Sequence, residues 1–150
     1  MSTYHAPLTD IRFALHDVLQ VEPMFASLGF EDAGRETLDA VLDECARLCE
    51  TVLAPLNRIG DEVGVRFDKA TGAVTTPTGF KDAYDQFVEG GWTGISAPAE
   101  FGGMGLPHGI GICLEEMIDA ANLAWSNSPL LSHGAVNALH HHGEDWQKEV

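Results

Sequence analysis

Apolar residues recur at helical spacing along most of this chain, with charged and polar residues between them. The longest such run lies between residues 38 and 59, where successive apolar positions are one or three residues apart. Its members are Leu38, Val41, Leu42, Cys45, Leu48, Cys49, Val52, Leu53, Leu56 and Ile59. Because residues three and four apart share one face of a helix, the run predicts a long core-facing helix. Pro55 removes one backbone donor, so we expect a kink or a break near residues 51–53.

A shorter helical pattern precedes this run. Asp10 is a suitable N-cap residue for an amphipathic helix near the N-terminus. The apolar side of that helix is predicted to carry Ile11, Leu15, Val18 and Leu19. Proline and glycines at positions 23, 29 and 34 then leave room for no more than a short turn of helix around 24–28.

Three helical patterns follow the long run. The first covers 80–88, with Phe80, Ala83, Tyr84, Phe87 and Val88 on one face, and ends at two glycines. The second begins at Pro107 and carries Ile110, Leu114, Met117, Ile118 and Ala121. For the third, Ser128 is expected to cap a helix that has Pro129 in its first turn and runs to Gly143, after which another helix starts at Glu144.

Helical spacing is absent between residues 60 and 78. There, 65–67 and 73–75 flank a turn-rich segment, which predicts a small hairpin between the second and third long helices. The whole pattern therefore predicts an all-α fold, an orthogonal or up-down bundle of about five to six helices with one small irregular hairpin.

Composition narrows the class of protein. The chain has 150 residues and 45% hydrophobic content, enough for one core, and it contains neither a membrane-length apolar run nor a signal-peptide pattern. We therefore expect a cytoplasmic location. The formal charge of -15, from 8 Lys and Arg against 23 Asp and Glu, argues against nucleic-acid or membrane partners. The same charge disfavours binding of coenzyme A to this chain alone.

The candidate reactive residues favour structural roles. Cys45 and Cys49 lie one helical turn apart on the predicted core face, as expected for buried thiols in a reducing compartment. Glu115 and Glu116 are neighbours whose side chains diverge by about 100° on a helix, so we expect structural hydrogen bonding rather than acid-base chemistry.

A cluster of histidines, His140 to His142 with His133 seven residues before it, is the main metal candidate. Consecutive helical side chains also diverge, whereas zinc needs three or four converging ligands. We therefore favour solvated imidazoles at a helix end, with a metal binder as the alternative.

The segment 90–105 contains six glycines and a proline, and we call it the glycine elbow. It lacks the order of glycines and lysine that a phosphate-binding loop requires. The elbow resembles the signature of the acyl-CoA dehydrogenase family in the N-terminal helical domain of those flavoproteins. The matching positions are Gly91, Trp92, Gly94, Ile95, Pro98, Glu100, Phe101, Gly102, Gly103 and Gly105.

The resemblance implies a domain organisation. Residues 4–13 resemble an N-terminal extension found in a bacterial branch of the family, which assigns 1–34 to that extension, docked on the bundle. Residues 35–150 would be the N-terminal helical domain, truncated before the flavin-binding β-domain. Residues 143–148 resemble a segment that continues toward that domain, so we expect Val150 to be an early end.

The resemblance also implies a reaction. In the family, a carboxylate removes the α-proton of an acyl-CoA thioester while the β-hydrogen leaves as hydride to FAD. The catalytic carboxylate and the flavin site belong to other domains, so this chain is expected to hold no catalytic, cofactor-binding or metal residue. It would supply one wall of the acyl pocket, from Trp125, Leu130, Leu131 and His133, although each could simply belong to the core.

Two interpretations of the whole chain follow. The first is an acyl-CoA dehydrogenase fragment, inactive alone, whose complete form takes acyl-CoA and an electron acceptor as partners and forms a homo-oligomer. The second is a stand-alone acidic helical interaction module built on the same scaffold. A fragment would expose the apolar surface that normally packs on the next domain, so we also expect self-association or a mobile C-terminal region.

Overall fold

The computed structural model describes residues 4–148, so Met1–Thr3 and Glu149–Val150 lie outside it, as does our expectation for Val150. The α-helices are α1 (Leu8–Arg12), α2 (Val21–Ser27), α3 (Arg35–Leu48), α4 (Ala54–Val63), α5 (Phe80–Glu89), α6 (His108–His142) and α7 (Asp145–Lys148). The strands are β1 (Arg66–Phe67) and β2 (Val74–Thr75). This confirms the all-α class. Within 4–148, no helix combines the length and apolar character needed to cross a bilayer.

The predicted long helix is present but interrupted. Helix α3 leads into a π-helical turn, Cys49–Leu53, and then into α4, with Pro55 in the first turn of α4. This confirms the break expected from Pro55, because a proline is tolerated where its missing N–H has no helical acceptor. The core-facing stripe ends at Leu53: no residue of α4 is fully buried, and the prediction for Ile59 is wrong, since it is 37% exposed.

The N-terminal segment differs from its prediction at three points. Helix α2 begins at Val21 and includes Pro23, so it is longer than the short turn expected at 24–28. Helix α1 begins at Leu8 after Pro7, so Asp10 lies in the first turn rather than at the cap. The chain then forms a π-helix, Phe13–Val18, followed by Gln20 in a left-handed conformation. The wider π turn displaces the expected stripe: Ile11 and Leu15 are buried, but Val18 and Leu19 are more than 60% exposed. The residue buried instead is His16.

Polar contacts join this segment to α3 and to the turn that follows it. The Ala6 N–H donates to Glu50 Oε1 at 2.9 Å, and Arg12 Nε donates to Asp39 Oδ1 at 2.7 Å. Apolar side chains of the same segment, Ile11, Leu15, Val21 and Phe25, belong to the single hydrophobic core. Residues 4–34 therefore pack as part of the bundle.

The hairpin is confirmed at its predicted place between α4 and α5. Strands β1 and β2 are antiparallel, with Arg66 opposite Thr75 and Phe67 opposite Val74. All four side chains are exposed, so the hairpin adds little to the core.

The glycine elbow is an ordered turn between α5 and α6. Its backbone closes on itself through hydrogen bonds such as Met104 N–H to the Gly94 carbonyl at 2.8 Å. Gly103 approaches the chain so closely that a Cβ there would lie 2.1 Å from the Ala97 carbonyl oxygen. Gly91 and Gly102 have positive φ values of 74° and 82°. The elbow thus requires glycine both for close approach and for left-handed backbone.

Helix α6 contains the main departure from prediction. The expected boundary at Ser128 and Pro129 is wrong, because helix continues through both residues. The break lies at Asn122, whose φ of -160° and ψ of 83° are not helical. Its Nδ2 donates to the Leu53 carbonyl and its Oδ1 accepts from the Trp125 N–H, both at 3.1 Å. Asn122 therefore acts as the N-cap of the second half of α6 while bonding it to the turn before α4.

Candidate binding cleft

A cleft of about 80 Å³ lies between the glycine elbow, α5 and the two halves of α6. Its lining is mostly apolar and aromatic. The apolar and glycine positions are Phe87, Trp92, Ile95, Ala97, Gly111, Leu114, Ile118 and Val136, and the polar ones are Thr93, Ser96, His108, Glu115, His133 and Asn137. The break at Asn122 makes this cleft possible, since it lets residues of both halves of α6 face each other.

A smaller hollow of about 20 Å³ adjoins the cleft. Four residues line both spaces, Phe87, Glu115, Ile118 and His133, and we call them the neck. The hollow itself is completed by Asp119, Ser126, Pro129 and Leu130. A ligand that extended from the cleft toward the hollow would pass these four side chains.

One polar pair lies in the neck. His133 Nδ1 is 3.1 Å from Glu115 Oε1, and the two side chains are 28% and 36% exposed. The carboxylate can only accept, so the proton of this hydrogen bond is on Nδ1. No described residue hydrogen-bonds to Nε2 at the other edge of the ring. The pair therefore leaves one ring nitrogen available to a ligand.

Two of the four predicted lining residues line these spaces, and a third lies behind them without lining either. His133 is in the neck, and Leu130, 43% exposed, lines the hollow. Trp125 lies behind them, 3% exposed, with its ring centroid 5.3 Å from that of Phe87 and edge-on to it. Its Nε1 donates to the Phe80 carbonyl at 3.1 Å. Trp125 thus supports the cleft wall from the core side.

Leu131, the fourth predicted residue, is separate from the other three. It is 77% exposed and lines neither the cleft nor the hollow. Adjacent helical residues point about 100° apart, so when Leu130 faces the hollow its neighbour faces elsewhere. Its assignment to the acyl pocket stays a prediction.

Sequence reasoning missed Glu115, Phe87 and Trp92 as cleft residues. The sequence analysis compares Glu115 only with its neighbour Glu116, which is exposed. The hydrogen-bond partner of Glu115 is instead His133, 18 positions later. The only signal in the sequence was that both positions belong to helical patterns on either side of a suspected helix junction. With the junction predicted at Ser128 instead of Asn122, the two could not be paired.

The histidines at the end of α6 do not converge on a common point with other ligands. The ring centroids of His140 and His141 are 4.7 Å apart and those of His141 and His142 are 6.3 Å apart. Among residues 4–148, no three His, Cys, Asp or Glu side chains are placed to hold a metal ion. His133, the fourth member of the metal hypothesis, is bonded to Glu115 instead.

The thiols are in unreactive surroundings. Cys45 and Cys49 are fully buried, with their sulfur atoms 3.9 Å apart. The hydrogen bond with Cys49 and then burial raise the pKa of Cys45, and burial followed by Glu116 raises the pKa of Cys113. Burial also raises the pKa of nearby Tyr4 to about 12. Because the thiolate is the nucleophile, raised pKa values disfavour thiol catalysis here.

A wider groove of about 470 Å³ lies between α3, the end of α5 and the elbow, and shares Trp92 and Ile95 with the cleft. Its rim carries the exposed ion pair of Arg47 with Glu44. The cleft, in contrast, is more enclosed and is lined by both halves of α6 as well as by the elbow. The cleft is therefore the better candidate site.

Similarity to known proteins covers nearly the whole chain. The family model described as acyl-CoA dehydrogenase, N-terminal domain, matches residues 35–150. A 3-methylmercaptopropionyl-CoA dehydrogenase from Ruegeria pomeroyi is 41% identical over 146 residues, which are 97% of this chain and 24% of that protein. A butyryl-CoA dehydrogenase from Syntrophomonas wolfei is 34% identical over 90 residues, 59% of this chain and 15% of that protein. The chain thus spans a quarter or less of the length of these relatives.

Proposed function

This chain belongs to the acyl-CoA dehydrogenase family, and from that premise we propose that it is the N-terminal helical domain of an FAD-dependent enzyme. The complete enzyme would desaturate acyl-CoA thioesters between the α and β carbons. This domain would form one wall of the pocket for the acyl chain and would be inactive by itself. The observation that carries the proposal is the mostly apolar cleft beside the glycine elbow.

The lining of the cleft suits the apolar end of such a substrate. Phe87, Leu114 and Ile118 offer buried apolar surface, and transfer of each methylene from water to such a surface contributes about 0.8 kcal/mol. A volume of about 80 Å³ holds only a few heavy atoms. The two relatives are named for methylmercaptopropionyl and butyryl groups. We therefore propose short acyl chains as substrates.

The last turn of the glycine elbow does not by itself fit the pyrophosphate of FAD. A flavin pyrophosphate needs cationic side chains or unpaired backbone amides, and the elbow amides of Gly103, Met104 and Gly105 are already bonded to carbonyls within the elbow. The net charge of -15 further disfavours a dinucleotide. We assign the flavin, the catalytic carboxylate and the contacts to coenzyme A phosphates to the rest of the enzyme.

The proposal includes the organisation of the complete protein. Residues 1–34 would be an extension that docks on the bundle, and 35–150 the N-terminal domain that precedes the flavin-binding domain. The complete enzyme would be a cytoplasmic homo-oligomer that passes electrons to a separate acceptor. Its exposed apolar residues along the second half of α6, such as Leu123 and Leu139, would be covered in that assembly.

The test compares this 150-residue chain with the complete polypeptide encoded by its gene. The complete protein should purify with a flavin absorbance band and should reduce a dye with a short-chain acyl-CoA. The isolated chain should show neither property. Stoichiometric flavin on the isolated chain, or dye-coupled turnover by it, would contradict the assignment of the reactive groups to other domains. A complete protein without flavin would contradict the proposed function itself.

A further inference from the structure

A second apolar space shares a wall with the cleft. This groove of about 340 Å³ lies between the glycine elbow, the end of α6 and α7, and we call it the elbow groove. Thr93, Ala97 and Val136 line both the cleft and the elbow groove. A side chain placed in the elbow groove would therefore pack against residues that also form the cleft wall.

The apolar side chains of the elbow groove are open to solvent. Phe101 is 47% exposed, and Val136 and Leu139 are each 42% exposed, although all three line a concave space. The rings of Phe101 and His140 lie edge-on with their centroids 6.1 Å apart, so the elbow and the end of α6 contact each other here. Apolar side chains on two walls of one groove favour a covering segment, because burial removes their surface from water.

The charges of the elbow groove differ from those of the three cavities described above. Glu115 lines the cleft and the hollow, and Glu44 and Glu89 line the wider groove. Among the described residues that line the elbow groove there is no Asp or Glu, and Lys148 adds a positive charge. In a chain with a net charge of -15, the carbonyls and acidic side chains of another segment would meet no carboxylate in this groove.

The position of α7 indicates which segment covers the groove. Gln147 and Lys148 line it, and two residues of extended chain span at most about 7 Å, so any residues that follow Val150 start close beside it. In the proposed enzyme the polypeptide continues beyond Val150, and this chain matches only 24% of the Ruegeria pomeroyi relative. A segment tethered this closely has an effective concentration in the millimolar range, so weak contacts are enough to hold it.

We propose that the residues directly following Val150 in the complete polypeptide fold back into the elbow groove and bury an apolar side chain between Phe101 and Leu139. This inference rests on the proposed function, because it needs the polypeptide to continue. The docked segment would pack against Thr93, Ala97 and Val136 and would thereby hold the shared wall of the cleft in place.

The experiment compares three lengths of the polypeptide: this chain of 150 residues, the same chain lengthened by its next ~15 natural residues, and the complete enzyme. The described residues share a hydrophobic core, so the shortest form can be studied by itself. Leu139→Cys reports coverage through its rate of reaction with a small thiol reagent, after subtraction of the wild-type rate. We expect the lengthened chain and the complete enzyme to react at least about tenfold more slowly than the 150-residue chain.

Two further variants locate the protection. Phe101→Cys, on the elbow wall, should be protected in the same way as Leu139→Cys. The matched control is Leu131→Cys, the same substitution eight positions earlier in α6, at a site that is 77% exposed and lines none of the four cavities. Its labelling rate should be the same in the 150-residue and the lengthened chains.

Trypsin gives a readout that needs no added cysteine. It cleaves after Lys148, and a docked segment should shield that bond in the lengthened chain. Leu139→Asp places a carboxylate in the groove, where burial of a charge is costly, so it should release the segment and speed this cleavage by about tenfold. Leu131→Asp should leave the cleavage rate unchanged.

The outcomes separate the possible occupants. Equal labelling of Leu139→Cys in the 150-residue and the lengthened chains would overturn the proposal. Protection that appears only in the complete enzyme would assign the groove to a later domain, and protection that rises with the concentration of the 150-residue chain would assign it to a second copy, so either result also overturns it. A complete protein without flavin or without acyl-CoA oxidation would instead overturn the proposed function, whatever the labelling rates.

Discussion

Two histidines of this chain are each bonded to a carboxylate, but their surroundings differ. The His16 side chain is fully buried, and both of its ring nitrogens face carboxylates: Nδ1 lies 2.6 Å from Glu22 Oε1 and Nε2 lies 3.2 Å from Asp39 Oδ1. The His133 side chain is 28% exposed and bonds only through Nδ1. We call the His16 site closed, because both ring nitrogens contact carboxylates, and the His133 site open, because only Nδ1 does.

The difference indicates what each histidine does. In the closed site, every hydrogen-bonding position of the ring is used within the protein, and Arg12 joins the same network by donating to Asp39 at 2.7 Å. That arrangement holds residues 4–34 against α3. In the open site, one position is left beside a cleft, so it can serve a ligand. The two histidines therefore differ in the number of ring nitrogens that the protein itself bonds, two for His16 and one for His133.

The largest loss of stability should come from removing Trp125, which supports the cleft wall behind the open site. Trp125→Ala deletes a side chain that is 3% exposed and edge-on to Phe87, and we expect it to lower the free energy of unfolding by about 3–5 kcal/mol. Urea titration followed by circular dichroism would measure it. Leu131→Ala, six positions later in the same helix and 77% exposed, should change stability by less than about 0.5 kcal/mol. Similar losses for both variants would contradict this picture of the wall.

The closed site should be broken most effectively at Asp39. Asp39→Ala removes the acceptor of both Arg12 and His16 and leaves a buried ring nitrogen without a partner, so we expect a loss of about 2 kcal/mol. Asp43→Ala is the matched control, since Asp43 bonds only to Arg12 and is 58% exposed. Its loss should be below about 1 kcal/mol. Equal losses would show that the Arg12 contacts, rather than His16, determine the stability of this site.

The closed site should also respond to acid. The hydrogen bond from its own backbone N–H, followed by that with His16, lowers the pKa of Glu22 below its ordinary 4.5. Desolvation raises the pKa of Asp39, but hydrogen bonds from Arg12 and His16 outweigh it and hold the pKa below 3.8. A depressed carboxyl pKa stabilises the fold above the unfolded-state value, and this contribution is lost as pH falls through the folded value.

We therefore expect the free energy of unfolding to decrease between about pH 5 and about pH 3, as measured by urea titration at several pH values. Asp39→Asn should show a shallower decrease over the same range, because one of the two shifted carboxyls is absent. A variant with the wild-type slope would exclude Asp39 as a source of the acid sensitivity.

The elements of the fold were predictable where the buried positions recur at regular helical spacing or where turn residues mark a hairpin. The stripe from Leu38 to Leu53 and the hairpin appear at their predicted places, since a 3.6-residue period and turn residues are local signals. The glycine elbow was predictable as an ordered turn for the same reason, and its motif indicates the family from the sequence alone.

The sites were only partly predictable because they depend on contacts between distant residues. Ser128 and Pro129 carry a stronger local signal for a helix start than Asn122, yet the bond from Asn122 to the Leu53 carbonyl, 69 positions away, decides where α6 breaks. His16 was missed because a π-helix turned it inward in place of Val18. Neither long-range hydrogen bonds nor π turns leave a reliable pattern in a single sequence.

The smallest effect on stability should come from the open site. His133→Leu removes one half-exposed pair and adds apolar surface beside Phe87 and Ile118, so the two terms largely cancel. We expect the free energy of unfolding to change by less than about 0.5 kcal/mol in the same urea titration. A loss as large as that of Asp39→Ala would make His133 a structural residue like His16. A near-zero change would show that His133 has no structural role comparable to that of His16.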